Sequence, residues 1–419
     1  MNDAGDRGTE AEEAAAAAAR NSYGRLLAFL ASRWRDVAAA QDALGDAFLA
    51  ALRTWPRTGV PARPEAWLLA AARRRLMDGA RHATVEAAAA PALRTLVEQA
   101  ERAVSAAAPF PDERLTLLFV AAHPAIDEAM RTPLMLQTVI GLDAARIASA
   151  FLVAPAAMGQ RLVRAKARIR DAGIRFEVPE RADLPARLDA VLEAIYTAYG
   201  SGWEDVAGAD PRRKGLAEEA IWLGRLVLGL LPEEPEAAGL LALMLHCEAR
   251  RAARRDPGGG YVPLGRQDVT RWSGPMLREA EALLSAAARA GRAGRFQLEA
   301  AIQSVHAQRA VTGHTDWAAI ALLYEGLVRC APTIGARVGH AAALADVRGS
   351  DAGLAILDAI APEAIASYQP YWAMRAHLLA AVGRHAEAEH AYARAVGLSE
   401  DPAVRAFLAG QAARRASSA

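Results

Sequence analysis

Arg161, Arg164, Lys166, Arg168 and Arg170 place five cations ahead of the first acid, Asp171. Groups of this kind can hold phosphates, and arginine's planar fork can also read a guanine edge. Such use needs a helix with one apolar face docked on its own protein and another free to enter a groove. Met158, Leu162, Ala165 and Ile169 supply the apolar stripe, at i, i+4, i+7 and i+11. Ala157, Gln160, Arg161, Arg164 and Arg168 gather on an adjoining flank at helical spacing. Pro155 suits the first turn and Gly173 a stop. Upstream, residues 142–151 read as a second short helix, with Asp143 as N-cap and Ile147 facing inward. Two helices joined by a short turn, the second basic, form a helix-turn-helix pattern. A solvated helix face carries charge in the same way, so spacing alone leaves both readings open.

Other residue types offer less chemistry. Nine histidines invite a metal reading, but His385 and His390 fall on different faces of one helix, and His246–Cys247 is a single neighbouring pair. "GGGY" follows no strand and reads as a loop rather than a phosphate cradle. No serine sits in a nucleophile elbow. The "EEPE" cluster at Glu233 to Glu236 reads as a solvated helix start. The expectation is a protein without enzymatic activity, metal or cofactor.

The elements that must position the basic helix are themselves helical. Alanine and leucine dominate, with no sustained alternation of Val, Ile and Thr, which predicts an all-α protein. A chain of 419 residues that is 53% hydrophobic can fill two to four cores. The net charge of +1 conceals local basic clusters at Arg73 to Arg75 and Arg161 to Arg170, and only Lys166 and Lys214 are lysines. Cys247 and Cys330 have no metal spacing, so a reducing compartment is expected. The acidic, Ala-rich first residues are no signal peptide, and no run is long and apolar enough for a membrane span. A cytoplasmic protein without membrane partners is expected.

Residues 1–20 read as a disordered tail, and the chain from Ser22 to Arg81 as helices around a loop in "TWPRTGVPARPEAW", set by its prolines and glycine. Residues 82–109 fall in complexity and read as a linker. A second helical unit runs from Pro111 to Gly173, and "FEVPERADLP" forms an extended connector. A third begins near Ala186. Toward the end, Trp372, Gly383, Ala388, Tyr392 and Ala395 fall at tetratricopeptide offsets. The equivalents of Ala388 are Gly353 and Ile320, at spacings of 35 and 33 residues. Such stacks offer a concave surface to protein partners.

Two more stretches carry charge in a pattern. In "AQDALGDAFLAALRTW" Leu44, Phe48 and Leu52 share one face, while Asp42 and Asp46 form an acidic pair for a basic partner. In "EAWLLAAARRRLMDGAR" Trp67, Leu68 and Ala71 face inward and Arg73, Arg74 and Arg75 outward. Aromatics beside arginines suit phosphates and unstacked bases, and cations equally balance a helix C-terminus.

In combination these stretches resemble the extracytoplasmic-function sigma factors of the sigma-70 family, bacterial subunits that direct RNA polymerase to promoters. "AQDALGDAFLAAL" is similar to the polymerase-binding helix, and "WPRTGVPARPEAWLLAAARRRLMDGAR" to the segment that melts and reads the minus-10 element. "FPDERLTLLFVAAHPAI" and "FLVAPAAMGQRLVRAKARIRDAGIRFEVP" resemble the minus-35 reader of a long subgroup with a tetratricopeptide extension. The likeness runs in order over residues 20–410, and "EAIWLGRLVLGLLPEEPEAAGLLALMLHCEARRAAR" continues it. Ala121 and Ala122 replace a usual Cys pair, and Ala154, Pro155, Ala156 and Ala157 replace a usual Pro-Glu-Ala-Thr.

The resemblance implies a region-2 domain over 21–87, a linker over 88–110 and a region-4 helix-turn-helix domain over 111–178. A helical extension over 186–290 and repeats over 291–419 follow. It implies that Asp42, Asp46 and Phe48 dock on core RNA polymerase. Trp67, Arg73, Arg74 and Arg75 would handle the minus-10 strand. Ala157, Gln160, Arg161, Arg164 and Arg168 would meet the minus-35 duplex. The repeats would bind a protein partner and regulate the factor. The rival reading is a sigma-derived adaptor that has lost promoter reading, favoured by the altered start of the basic helix.

Overall fold

The computed structural model describes residues 3–84, 112–151, 153–180, 183–204 and 215–416; the expected linker at 88–110 lies outside the described residues. These residues form an all-α protein, with a single isolated antiparallel bridge, Arg255 to Tyr261, among them. They divide into two units, Met1–Ala198 and Tyr199–Ala419.

In the first unit α1 spans Asp3–Trp34. The expected disordered tail is therefore helical from Asp3. Alanine is the strongest helix former, and Ala11, Ala15 and Ala18, at i, i+4 and i+7, are buried. Further along, Leu26, Leu27, Ala28, Phe29, Leu30 and Ala31 are all buried, as expected of a helix surrounded by others. Indeed α1 packs on α2 (Val37–Thr58), α3 (Pro64–Thr84), α4 (Arg114–Ala121) and α5 (Glu128–Thr138).

Only Arg35, at φ 55°, and Asp36 separate α1 from α2, and the Asp36 carboxylate accepts from the Ala39 N–H at 3.0 Å. The expected loop at "TWPRTGVPARPEAW" is shorter than its prolines suggest. α2 runs through Pro56, whose missing N–H costs one bond in the last turn, and Gly59 at φ 83° ends it.

After α5 come α6 (Ala144–Ala150) and α7 (Pro155–Asp171). Asp143 caps α6 through the Arg146 N–H at 2.9 Å, and Pro155 opens α7. Met158, Leu162, Ala165 and Ile169 are buried, as their spacing requires. Each large apolar side chain contributes about 1.5–3 kcal/mol to docking α7. Gly173, at φ 61°, follows its end. The helix α8 (Pro185–Glu204) completes this part of the chain.

In the second unit α9 (Leu216–Leu230), α10 (Pro235–Ala249) and α11 (Gly274–Ala288) precede α12 (Arg295–Ala307). α10 is buried over most of its surface and packs on α9, α11 and α12. Gly239 permits the last contact, since a Cβ there would stand 2.7 Å from the Gln297 nitrogen. The short α13 (Arg309–Thr312) leads to α14 (Trp317–Cys330), α15 (Ile334–Arg348), α16 (Ser350–Asp358), α17 (Pro362–Ile365), α18 (Gln369–Ala381), α19 (His385–Leu398) and α20 (Pro402–Ala416). Helix pairs α12 with α14, α15 with α16 and α18 with α19 pack against each other. Ile320, Gly353 and Ala388 are buried in the second helix of each pair. Gly353 leaves room for the Ala341 carbonyl oxygen, which would stand 2.7 Å from a Cβ.

Candidate nucleic-acid interface

The buried stripe of α2 consists of Val37, Ala40, Ala43, Leu44, Ala47, Ala51 and Trp55. Helical periodicity then turns Asp42, Leu49 and Arg53 to the opposite side, where all three are exposed. Leu52, read from its spacing as inward, is exposed as well. Phe48 is half-buried at the stripe's edge, stacked on Tyr23 with ring centroids 6.5 Å apart. The acidic face thus carries two exposed leucines that the sequence reading assigned inward or passed over. Burial pushes the Tyr23 phenol up to about 12 despite its hydrogen bond with Gln41.

On α3 the three arginines separate. Arg73 is buried, contrary to the outward placement expected of it, because Leu69, Ala72, Arg73 and Leu76 share one buried stripe. Arg74 and Arg75 are exposed, and the Arg75 Nε donates to the Asp46 carboxylate at 3.0 Å. Trp67 is half-buried, edge-on to the fully buried Trp55 at 5.5 Å between centroids.

On α7, opposite the buried stripe, Gln160, Arg161, Val163, Arg164 and Arg168 are exposed and Ala157 is half-buried. Val163 is an apolar side chain 62% exposed among these polar groups. Arg168 is partly committed, its Nε donating to the Ala125 carbonyl at 3.3 Å. Lys166 does not join the basic flank. It is buried, and its ammonium donates to the Gln41 side-chain oxygen of α2 at 2.5 Å. Burial pushes its pKa down and the Asp42 charge opposes the shift. Arg170 reaches Asp36 at 3.7 Å, again on the α2 side.

Among the described residues no group of three or more His, Cys, Asp or Glu could hold a metal, and no helix is long and apolar enough to cross a membrane. Asp256 closes the "GGGY" loop by accepting from the Gly260 N–H at 2.8 Å. Glu236 departs from the expected solvated helix start. Its carboxylate accepts from the Phe296 and Gln297 N–H groups at 2.9 and 3.1 Å, capping α12 from α10.

Comparison with known proteins defines the class. Residues 19–85 match the sigma-70 region 2 family, and residues 187–288 match a family of unknown function, DUF6596. The chain thus carries a sigma-70 region 2 domain, which supports a sigma-70 family factor. The chain belongs to the same family as an uncharacterized protein of Rhizobium meliloti (strain 1021). That relative is 38% identical over 380 residues, covering 90% of this chain and 89% of its own length. No solved structure matches the chain.

Proposed function

We propose that the chain is an alternative sigma factor of the extracytoplasmic-function type, with a fused regulatory extension. The carrying observation is the pairing of a region-2 domain at residues 19–85 with α7, whose Arg161 and Arg164 are exposed while its apolar stripe is docked. In this reading Asp42, Asp46, Leu49 and Leu52 meet core polymerase, and Phe48 supports them from Tyr23. Arg74 and Arg75 hold the opening minus-10 strand beside Trp67. The pair α6–α7 is the helix-turn-helix of a region-4 domain, with Gln160, Arg161, Val163 and Arg164 entering the minus-35 major groove. Ala157, half-buried on the same flank, stands at the start of that contact.

The helix pairs from α12 onward, with Ile320, Gly353 and Ala388 at their crossings, support a tetratricopeptide-like stack that binds a protein partner. The test is transcription from genomic DNA by core polymerase with and without the full chain, followed by sequencing of the new transcripts. New starts sharing upstream elements support the reading. Capture of core polymerase without any new start would leave the adaptor reading in its place.

A further inference from the structure

In the second unit, residues 246–272 carry six arginines against three acids, in a chain whose net charge is +1. Two of the acids serve turns: Asp256 accepts from the Gly260 N–H at 2.8 Å and Asp268 from the Thr270 N–H at 2.9 Å. The third, Glu248, accepts from the Arg251 Nε at 2.6 Å. One tight turn after α10, Arg251–Arg254, brings Arg250 and Arg254 within each other's field. The Arg250 Nη2 donates to the Cys247 Sγ at 3.5 Å.

We propose that Arg250 and Arg254 form a binding site for the phosphate group of a small molecule, where α10 ends beside α12 and α14. The site goes beyond the protein-partner reading of the repeats and stands independently of the sigma-factor reading. The charge of Arg250 acts on residues of three helices: His246 and Cys247 of α10, His306 of α12 and Tyr324 of α14. Burial, with Arg250 adding to it, pushes both imidazoles down to about 4. Burial pushes the Tyr324 phenol up to about 12 and raises the Cys247 thiol as well. At neutral pH all four are therefore uncharged. Two carboxylates reach the group, and each is engaged by a further arginine: Glu248 by Arg251, and Glu299 by Arg295 at 2.9 Å. The surroundings of Arg250 and Arg254 thus hold more cations than acids, with neutral donors beside them.

This arrangement suits a phosphate dianion. Burial pushes the Arg254 guanidinium below its ordinary value, against the pull of Tyr261 and with the repulsion of Arg250 added. An anion touching both guanidiniums relieves that repulsion, and reduced solvent screening strengthens the contact. Two guanidinium forks offer more N–H groups than the oxygens of one carboxylate accept, whereas phosphate has oxygens to match. The backbone that carries the pair is fixed beforehand. The Arg254 carbonyl accepts from the Val262 N–H at 2.9 Å, and Arg271 donates to the Arg255 carbonyl at 2.8 Å. Arg255 pairs with Asp401 and Tyr261 lies edge-on to Phe407 at 5.4 Å, which ties the "GGGY" loop to α20. Little ordering is then left for the ligand to impose.

The chain's two cysteines give a local readout, because Cys247 touches Arg250 while Cys330 is exposed on α14. Iodoacetamide alkylation of the full-length protein is followed at each thiol by mass spectrometry. At constant ionic strength, inorganic phosphate should slow Cys247 several-fold relative to Cys330, since a dianion beside the thiol opposes its ionisation. Arg250→Gln and Arg254→Gln should each abolish that protection. Arg266→Gln, exposed in the same stretch, should keep it. Arg254→Lys retains the charge without the fork and should weaken protection several-fold; it serves if the Gln variants unfold by circular dichroism. Equilibrium dialysis against labelled phosphate makes the same comparison without the thiol, and the Gln variants should retain less than the wild type. Equal retention would overturn the site, as would equal alkylation of Cys247 in phosphate and chloride. Acetate protecting as well as phosphate would overturn the ligand class, and loss of protection in Arg266→Gln would reduce the effect to surface charge.

Discussion

Asp46 on α2 and Arg75 on α3 form an ion pair at 3.0 Å, although the two belong to surfaces assigned to different partners. Both side chains are largely exposed, so the pair itself adds little to stability. Its consequence is positional: each residue holds the other in place before polymerase or DNA arrives. Reversing Asp42 and Asp46 to Lys should abolish co-purification with core polymerase. Asp46→Asn should weaken it and also release Arg75. Neither change should alter the melting midpoint beyond about 0.5 kcal/mol of stability, as is usual for exposed sites. Undiminished co-purification of the double reversal would remove this face as the docking surface.

The arginines of α3 should divide by burial. Arg74→Ala should reduce binding to single-stranded minus-10 DNA with little change in stability. Arg73→Ala should destabilise the fold by about 0.5–3 kcal/mol, because it removes a buried polar group from the stripe of Leu69, Ala72 and Leu76. Urea melts beside filter binding separate the two effects. Equal stability loss in both variants would refute the division.

That division was legible in the sequence, since 69, 72, 73 and 76 follow helical spacing, but a run of three arginines reads as one outward patch. The stripe of α7 was legible for the opposite reason: its four positions are apolar and its ends carry Pro155 and Gly173. The N-terminal helix was masked by its own low complexity, because an alanine run shows no apolar contrast from face to face. Leu49 and Leu52 were hidden by the assumption that leucine points inward on an amphipathic helix. Glu236 could not be placed at all, since its partners Phe296 and Gln297 lie some sixty residues away in sequence. The role of Lys166 was equally out of reach. Its partner Gln41 is 125 positions earlier, and only packing of the two segments brings them together.

Acid should weaken the second unit through one buried and one half-buried imidazole. His246 is pushed down to about 4 by burial and then by the Arg250 charge. His306 is pushed down to about 4 by burial, then by Arg250 and Arg309. Unfolded imidazoles titrate near 6.5, so between about 6.5 and 4 the unfolded state binds more protons. The resulting stability is fully present above that window and is lost as pH falls through it. Thermal melts at pH 7.5 and pH 5 should show the loss, and the double variant His246→Leu, His306→Leu should show less of it. An identical loss in the double variant would assign the acid sensitivity to other groups.

The free face of α7 should read bases as well as phosphates. Gln160 lies opposite the buried stripe, and a glutamine amide can bridge the N6 and N7 groups of adenine. Val163 is 62% exposed beside it, an apolar side chain among polar ones. A thymine methyl in the major groove is a matching cover, and Arg164 nearby suits guanine. Duplexes selected from a random pool by the full chain should therefore contain one thymine whose replacement by deoxyuridine weakens binding. Val163→Ala should erase that sensitivity while keeping the phosphate contacts and hence the salt dependence. Arg164→Ala should relax one guanine preference by ~1–3 kcal/mol, or reduce the salt slope if its contact is to phosphate. The two variants are read on the same duplexes, so a failure of selection and a failure of base reading stay distinct. Deoxyuridine tolerated at every thymine by the wild-type chain would show that Val163 meets no thymine methyl.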